Sequence, residues 1–144
     1  MANYYSEGKI IIPNVTGNIV ITASAVSSVQ ETLPVTWVSG KKAAYTVGSA
    51  FTLTDDSAYI VSEEIPVEYG RIYSFEWNCL SSNSMFYYVG VDANNIVTEV
   101  EKVFPERPEL VNCEWTPTVE TTVGLRLRGY TDNNMTEITE LKVN

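Results

Sequence analysis

The chain contains no histidine. That removes histidine-based triads, the commonest general acid/base and every His-containing zinc site, so metal-dependent hydrolysis is not expected. Cysteine is nearly missing as well. Cys79 and Cys113 are too few for a four-thiolate zinc site or a disulfide-rich scaffold, and their spacing suits either one disulfide or two buried thiols. Cations are scarce, with 9 Lys and Arg against 18 Asp and Glu in 144 residues and a formal charge of −9. Such a field disfavours a nucleic-acid partner and an anionic membrane surface. No run approaches the ~18 consecutive apolar residues of a membrane span, so no membrane insertion is expected. Met1-Ala2-Asn3-Tyr4-Tyr5 lacks the charged start and apolar run of a secretory signal.

Catalytic signatures are missing too. There is no Gly-rich phosphate loop and no nucleophile elbow, and the cysteines have no histidine to activate them. With 14 Glu and 4 Asp, a glycosidase-type carboxylate pair would depend on a spatial separation that sequence does not specify. The expectation is a protein that is not an enzyme.

What is abundant is strand chemistry. Val, Ile, Thr and aromatic residues make up 59 of the 144 positions, against 7 Leu and 8 Ala, a balance that favours strands over helices. Apolar runs are punctuated by turn residues at Pro13-Asn14, Thr16-Gly17-Asn18, Ser39-Gly40-Lys41, Asp55-Asp56, Glu68-Tyr69-Gly70, Ser81-Ser82-Asn83, Asp92-Ala93-Asn94-Asn95 and Thr131-Asp132-Asn133-Asn134. This rhythm predicts an all-β sandwich or barrel. Helical phase competes only near residues 95–104, where Ile96, Val100 and Val103 fall at i, i+4 and i+7. The β-branched content and the following Pro105 and Pro108 favour a strand there.

The pattern divides the chain into an N-terminal hairpin over 1–27, a connector over 28–42 and a main β-domain over 43–144. A lone hairpin is marginal in water. Its Ile10, Ile12, Ile19 and Ile21 would therefore be buried against other strands, and pairing among three chains is one way to do so. In the main domain, alternation puts Tyr73, Phe75 and Trp77 on one face and Glu76 and Asn78 on the other. Val123, Leu125 and Leu127 likewise turn inward, leaving Arg126, Arg128 and Tyr130 outward. In the run from Met85 to Val91, Met85, Tyr87, Val89 and Val91 are read as inward with Phe86 and Tyr88 opposite, the reverse assignment fitting nearly as well. Trp37 and Trp77 are read as core or interdomain anchors, and Ile138 as facing the core.

Two stretches resemble known modules. The N-terminal Gly-x-Ile-x-Ile-Pro-x-Val-Thr-Gly-x-Ile-x-Ile-x-Ala-x-Ala pattern of residues 8–25 is similar to the closing hairpin of Ig-like domains in bacteriophage tail and baseplate proteins. The run from Ser57 to Phe75, the Phe86-Tyr87-Tyr88 strand with its Asp92 turn, and Val123-Gly124-Leu125-Arg126-Leu127-Arg128 resemble the jelly-roll modules carried by phage fibres and, as carbohydrate-binding modules, by glycoside hydrolases. This second likeness spans roughly 43–143. It departs from the pattern at Trp115, which precedes Thr116-Pro117-Thr118. The resemblance implies a jelly-roll β-sandwich, often trimeric, in a virion tail receptor-binding or baseplate protein, with a host-surface polysaccharide and other tail proteins as partners. A purely structural trimerisation or spacer module is the alternative, as is a carbohydrate-binding module of a secreted, extracellular hydrolase.

Sugar recognition needs flat rings that stack on pyranose faces and planar polar groups that bridge hydroxyls. The expected glycan-binding residues are therefore Glu76, Asn78, Tyr88, Trp115, Arg126, Arg128 and Tyr130. No cofactor is expected, and no metal beyond a structural calcium ion, for which Asp55 and Asp56 in an inter-strand loop are the candidate ligands.

Overall fold

A computed structural model describes residues 5–6, 9–10, 16–17, 30–78, 85–103 and 110–144. In chain order the strands are β1 (Tyr5–Ser6), β2 (Lys9–Ile10), β3 (Glu31–Pro34), β4 (Trp37–Ala44), β5 (Thr52–Ser62), β6 (Ile65–Pro66), β7 (Tyr73–Asn78), β8 (Phe86–Val91), β9 (Val97–Val103), β10 (Leu110–Trp115), β11 (Gly124–Tyr130) and β12 (Glu140–Val143), with two single turns of 3-10 helix at Thr131–Asn133 and Met135–Glu137. Among the described residues, β1 and β2 pair with each other. The remaining strands form two sheets, ordered β10-β7-β12-β3 and β4-β5-β11-β8-β9, with β6 alongside β11.

All pairings are antiparallel. Leaving aside β4 and the short β6, the chain crosses between the sheets in the order of a double Greek key. Successive strands β3, β5, β7, β8, β9, β10, β11 and β12 then fall in the jelly-roll orders first-eighth-third-sixth and second-seventh-fourth-fifth.

The space between the sheets is filled as the alternation predicts, except at Val123, which lies just before β11 and is 43% exposed instead of inward. β7 contributes Tyr73, Phe75 and Trp77, and β11 contributes Leu125 and Leu127, packed with Ile138, Leu141 and Val143. From β8 it is Phe86 and Tyr88 that enter this core, while Tyr87, Val89 and Val91 face away from it. The reverse of the first assignment is thus realised, because both faces of β8 are buried and periodicity cannot rank them. Trp77 meets Phe86 edge-on at 5.4 Å and donates from Nε1 to the carbonyl of Asn133. Trp37 is half-buried against the same core and donates to the carbonyl of Ile138.

The outward face of the larger sheet carries a second apolar cluster of Ala43, Phe51, Val61, Tyr87, Val89, Val91 and Val97. It is closed by an arm. β5 pairs with β11 only through Tyr59, Ile60 and Val61, so the distal halves of β4 and β5 extend beyond the sheet. A register shift between Ser39 and Lys41, at Gly40 with φ of +73°, bends β4 in the manner of a β-bulge. The arm's tip then docks on the β8–β9 turn. The amide of Gly48 donates to the carbonyl of Val97, that of Val97 to Ser49 and that of Phe51 to Asn95, all at 2.8–2.9 Å. The β8–β9 turn is held in shape by Asp92, whose Oδ1 accepts from the amides of Asn94 and Ile96, an Asx turn that the Asp-Ala-Asn-Asn sequence foretells. The loop entering β11 is fastened by Glu99, whose carboxylate accepts from the amides of Thr118 and Val119 and from the hydroxyls of Thr118 and Thr122.

Two expectations are corrected here. Residues 28–42 are not all connector, since Glu31–Pro34 pairs with β12 and Trp37–Ala44 with β5. Both are edge strands, one mostly exposed and the other broken by a bulge, which is why no sustained alternation marks them. Asp55 and Asp56 lie within the long strand β5 and not in a loop. Residues 97–103 form a strand paired with β8. Cys113 is buried in the core. Cys79, Ile12, Ile19, Ile21 and the second strand of the expected N-terminal hairpin lie outside the described residues.

Candidate functional site

The seven residues singled out from sequence do not form one surface. Glu76 and Asn78 project from β7 on the outside of the smaller sheet, while Arg126, Arg128 and Tyr130 belong to β11 in the larger one. The two outer faces point apart, so no shared polar face exists. Tyr88 and Trp115 are core residues at 2% and 3% exposure, stacked on each other at 5.7 Å with planes 12° apart. Trp115 was expected at a loop. It is instead the last residue of β10, opposite Tyr73, and neither ring is accessible to a sugar. Burial, and then the nearby Cys113, pushes the Tyr88 phenol well above its ordinary range.

Glu76 borders a shallow groove of about 250 Å³ that opens where β7 and β12 part, lined also by Phe75, Glu137, Ile138, Glu140 and Lys142. Its one ring, Phe75, is buried, so the groove offers carboxylates but no stacking platform. Asp55 is engaged by Lys41, which holds its carboxyl below the usual carboxylate range, and Asp56 accepts from the amide of Ala58. Among the described residues no group of three or more acidic or thiol side chains converges as a metal site.

Aromatic and cationic side chains converge elsewhere, on the outside of the larger sheet beside the arm. Arg128 is 3% exposed. Its guanidinium lies over three tyrosine rings, 4.4 Å from Tyr59, 4.8 Å from Tyr87 and 4.9 Å from Tyr45, a cation held by ring quadrupoles. Its Nε has no hydrogen-bond partner, and among the described residues no carboxylate lies within ion-pair distance of it. Two strand positions away, Arg126 lies 4.5 Å over Phe51 and donates from Nε to the carbonyl of Ser62. Burial draws its pKa below the ordinary value, with Glu64 and Glu63 opposing.

Tyr130 pairs with Tyr59 at 5.0 Å and Tyr45 with Tyr87 at 4.7 Å. Lys42 sits 5.1 Å over Tyr59 and Lys102 5.8 Å over Tyr87. Among the described residues, Lys42, Lys102, Arg126 and Arg128 thus stand over rings on this face. Tyr87 is buried, Tyr45, Tyr59 and Tyr130 are half-exposed, and both lysines are exposed.

Of the expected residues, only Arg126, Arg128 and Tyr130 belong to this cluster. Tyr45, Phe51, Tyr59, Tyr87, Lys42 and Lys102 were missed as site residues. The available signal was the unbroken apolar run Phe86-Tyr87-Tyr88-Val89, which marks a strand covered on both faces and so implies a second layer over the larger sheet.

Burial, followed by a hydrogen bond with Tyr45, pushes the Tyr87 phenol up to about 12. Burial, followed by a hydrogen bond with Tyr59, raises that of Tyr130. The folded state therefore keeps these phenols protonated while the unfolded chain, with tyrosines near 10, ionises. The contribution of Tyr87 to stability is fully present below pH ~10 and is lost as the pH rises through about 12, and that of Tyr130 is likewise lost as the pH rises past the ordinary tyrosine range. The urea midpoint is expected to fall steadily above pH ~10. A midpoint that stays level there would show these hydroxyls to be solvated.

No protein-family model, curated protein or solved structure matches the chain. Its class therefore rests on architecture alone, an all-β sandwich of two antiparallel sheets with jelly-roll strand order.

Proposed function

We propose that the chain is a non-catalytic carbohydrate-binding module of a bacteriophage tail receptor-binding or baseplate protein, and that a host-surface glycan docks on the tyrosine-lined face of the larger sheet. The observation that carries this reading is the half-exposed pair Tyr59 and Tyr130 beside Tyr45, with the exposed ammonium of Lys42 at its edge. Rings supply apolar stacking surfaces, and phenols and ammonium groups supply donors to hydroxyls. The sandwich behind them is rigidly packed, so little ordering cost accompanies binding. A shallow site of this kind binds single sugars weakly, and repetition in a trimer raises apparent affinity through effective concentration.

A glycan array followed by calorimetry on the intact chain tests the reading. Tyr59→Ala and Tyr130→Ala are each expected to weaken binding about tenfold, equivalent to ~1.4 kcal/mol, with an unchanged circular dichroism spectrum. Retention of full affinity in both variants would move the site off this face. Absence of any glycan binding, together with a trimeric mass by light scattering, would favour the structural spacer.

A further inference from the structure

Resting on that reading, we infer that the ligand of this face is an anionic glycan, one whose repeating unit carries a carboxylate or a phosphate. The chain as a whole has a charge of −9, so clustered cations are notable for where they stand. Arg128 is the central one. A buried guanidinium ordinarily has a carboxylate beside it, because removing a charge from water is costly without compensation. Here the described residues provide three tyrosine rings and no carboxylate within ion-pair distance, and Nε is without a hydrogen bond.

Ring quadrupoles compensate a cation only in part, so the remaining positive potential extends outward past Tyr59, Tyr87 and Tyr130. Lys42 stands over one of these rings, Tyr59, and adds to it. An acidic group on a sugar accepts hydrogen bonds from phenol and ammonium alike. A neutral glycan would draw less on the uncompensated guanidinium, because its hydroxyls accept hydrogen bonds but carry no charge to offset it. The acidic remainder of the surface repels polyanions in general, which restricts their capture to this patch.

The test titrates the intact chain calorimetrically with four probes: polygalacturonate, its methyl ester, poly(glycerol phosphate) and neutral dextran. Binding is expected for polygalacturonate or for poly(glycerol phosphate), and which of them binds identifies the acidic group as carboxylate or phosphate. The dissociation constant should rise at least about tenfold between ~50 mM and ~500 mM NaCl, as screening shortens the range of the field. Lys42→Glu, an exposed substitution that leaves the core untouched, should weaken binding of the charged polymer by about tenfold, and Tyr59→Ala should weaken it as well. Failure of both charged polymers to bind overturns the inference. So does binding of the methyl ester or dextran that equals the charged form and ignores salt and Lys42→Glu; if that binding still depends on Tyr59, the glycan-binding reading survives without the charge requirement. Binding of a charged polymer that ignores Lys42→Glu and Tyr59→Ala places it elsewhere and overturns both.

Discussion

Trp77→Ala is expected to cost about 3–5 kcal/mol, the range for removing a large ring from a packed core. That is a large share of the ~5–15 kcal/mol by which a domain is typically stable. Trp77 is 1% exposed near the end of β7, edge-on to Phe86 and hydrogen-bonded to the carbonyl of Asn133. Its loss leaves a cavity between the sheets and an unpaired carbonyl in the turn that leads to β12. Trp77→Phe should cost less, because it keeps the aromatic contact and forfeits mainly the volume difference and the Nε1 donor, the latter worth about 1 kcal/mol. Urea unfolding followed by circular dichroism separates the two. An alanine variant with a midpoint equal to that of the parent would show that β7 does not centre the core.

Gly129→Ala should also be costly, through crowding. Gly129 pairs with Ile60 in the middle of the larger sheet, and a Cβ there would overlap the Sδ of Met135 and lie 3.2 Å from its Cε. Met135 is itself 1% exposed, so its thioether has little room to withdraw. Overpacking of this kind costs about 1–3 kcal/mol. Met135→Ala alone should cost about 2–5 kcal/mol by cavity formation. The double variant should lose less than the sum of the two, with a coupling of about 1 kcal/mol or more, because the added methyl enters the space the thioether leaves. Additive losses would mean that the two residues do not share that space.

Several features were legible in the residues themselves. Period-two alternation in Tyr73-Ser74-Phe75-Glu76-Trp77 is a direct image of a strand with one face in the core, and β7 buries its three rings and exposes Glu76 and Asn78 accordingly, Ser74 alone being covered on the other face. The Asp92 turn was legible because a short carboxylate captures backbone amides locally, with no help from distant chain. β3 and β4 were not legible. An edge strand has few buried positions and so no apolar signature, and the bulge at Gly40 breaks the phase of β4. β8 read as ambiguous because the arm covers its second face.

The site was less legible than the fold. Arg128 and Tyr130 were identifiable as outward-facing on β11, but their surroundings come from β4, β5, β8 and the arm, separated in sequence by scores of residues. Trp115 and Tyr88 looked like surface rings only because sheet partners and register are not local properties. They stack in the core because β10 pairs with β7 in one sheet and β8 with β11 in the other, which brings the two rings together across the interior.

By itself the sequence determined the strand-rich class, the main turns, the inward faces of β7 and β11 and the net negative charge, since each follows from local propensity, period or a sum over residues. Only the tertiary structure decided which strands share a sheet, that Glu76 and Arg128 face opposite ways, and that a bent arm brings Tyr45 and Phe51 to the two arginines beside Tyr59. Those outcomes depend on register and on which side of a sheet a hairpin folds over, and both are set by packing between segments remote in the chain.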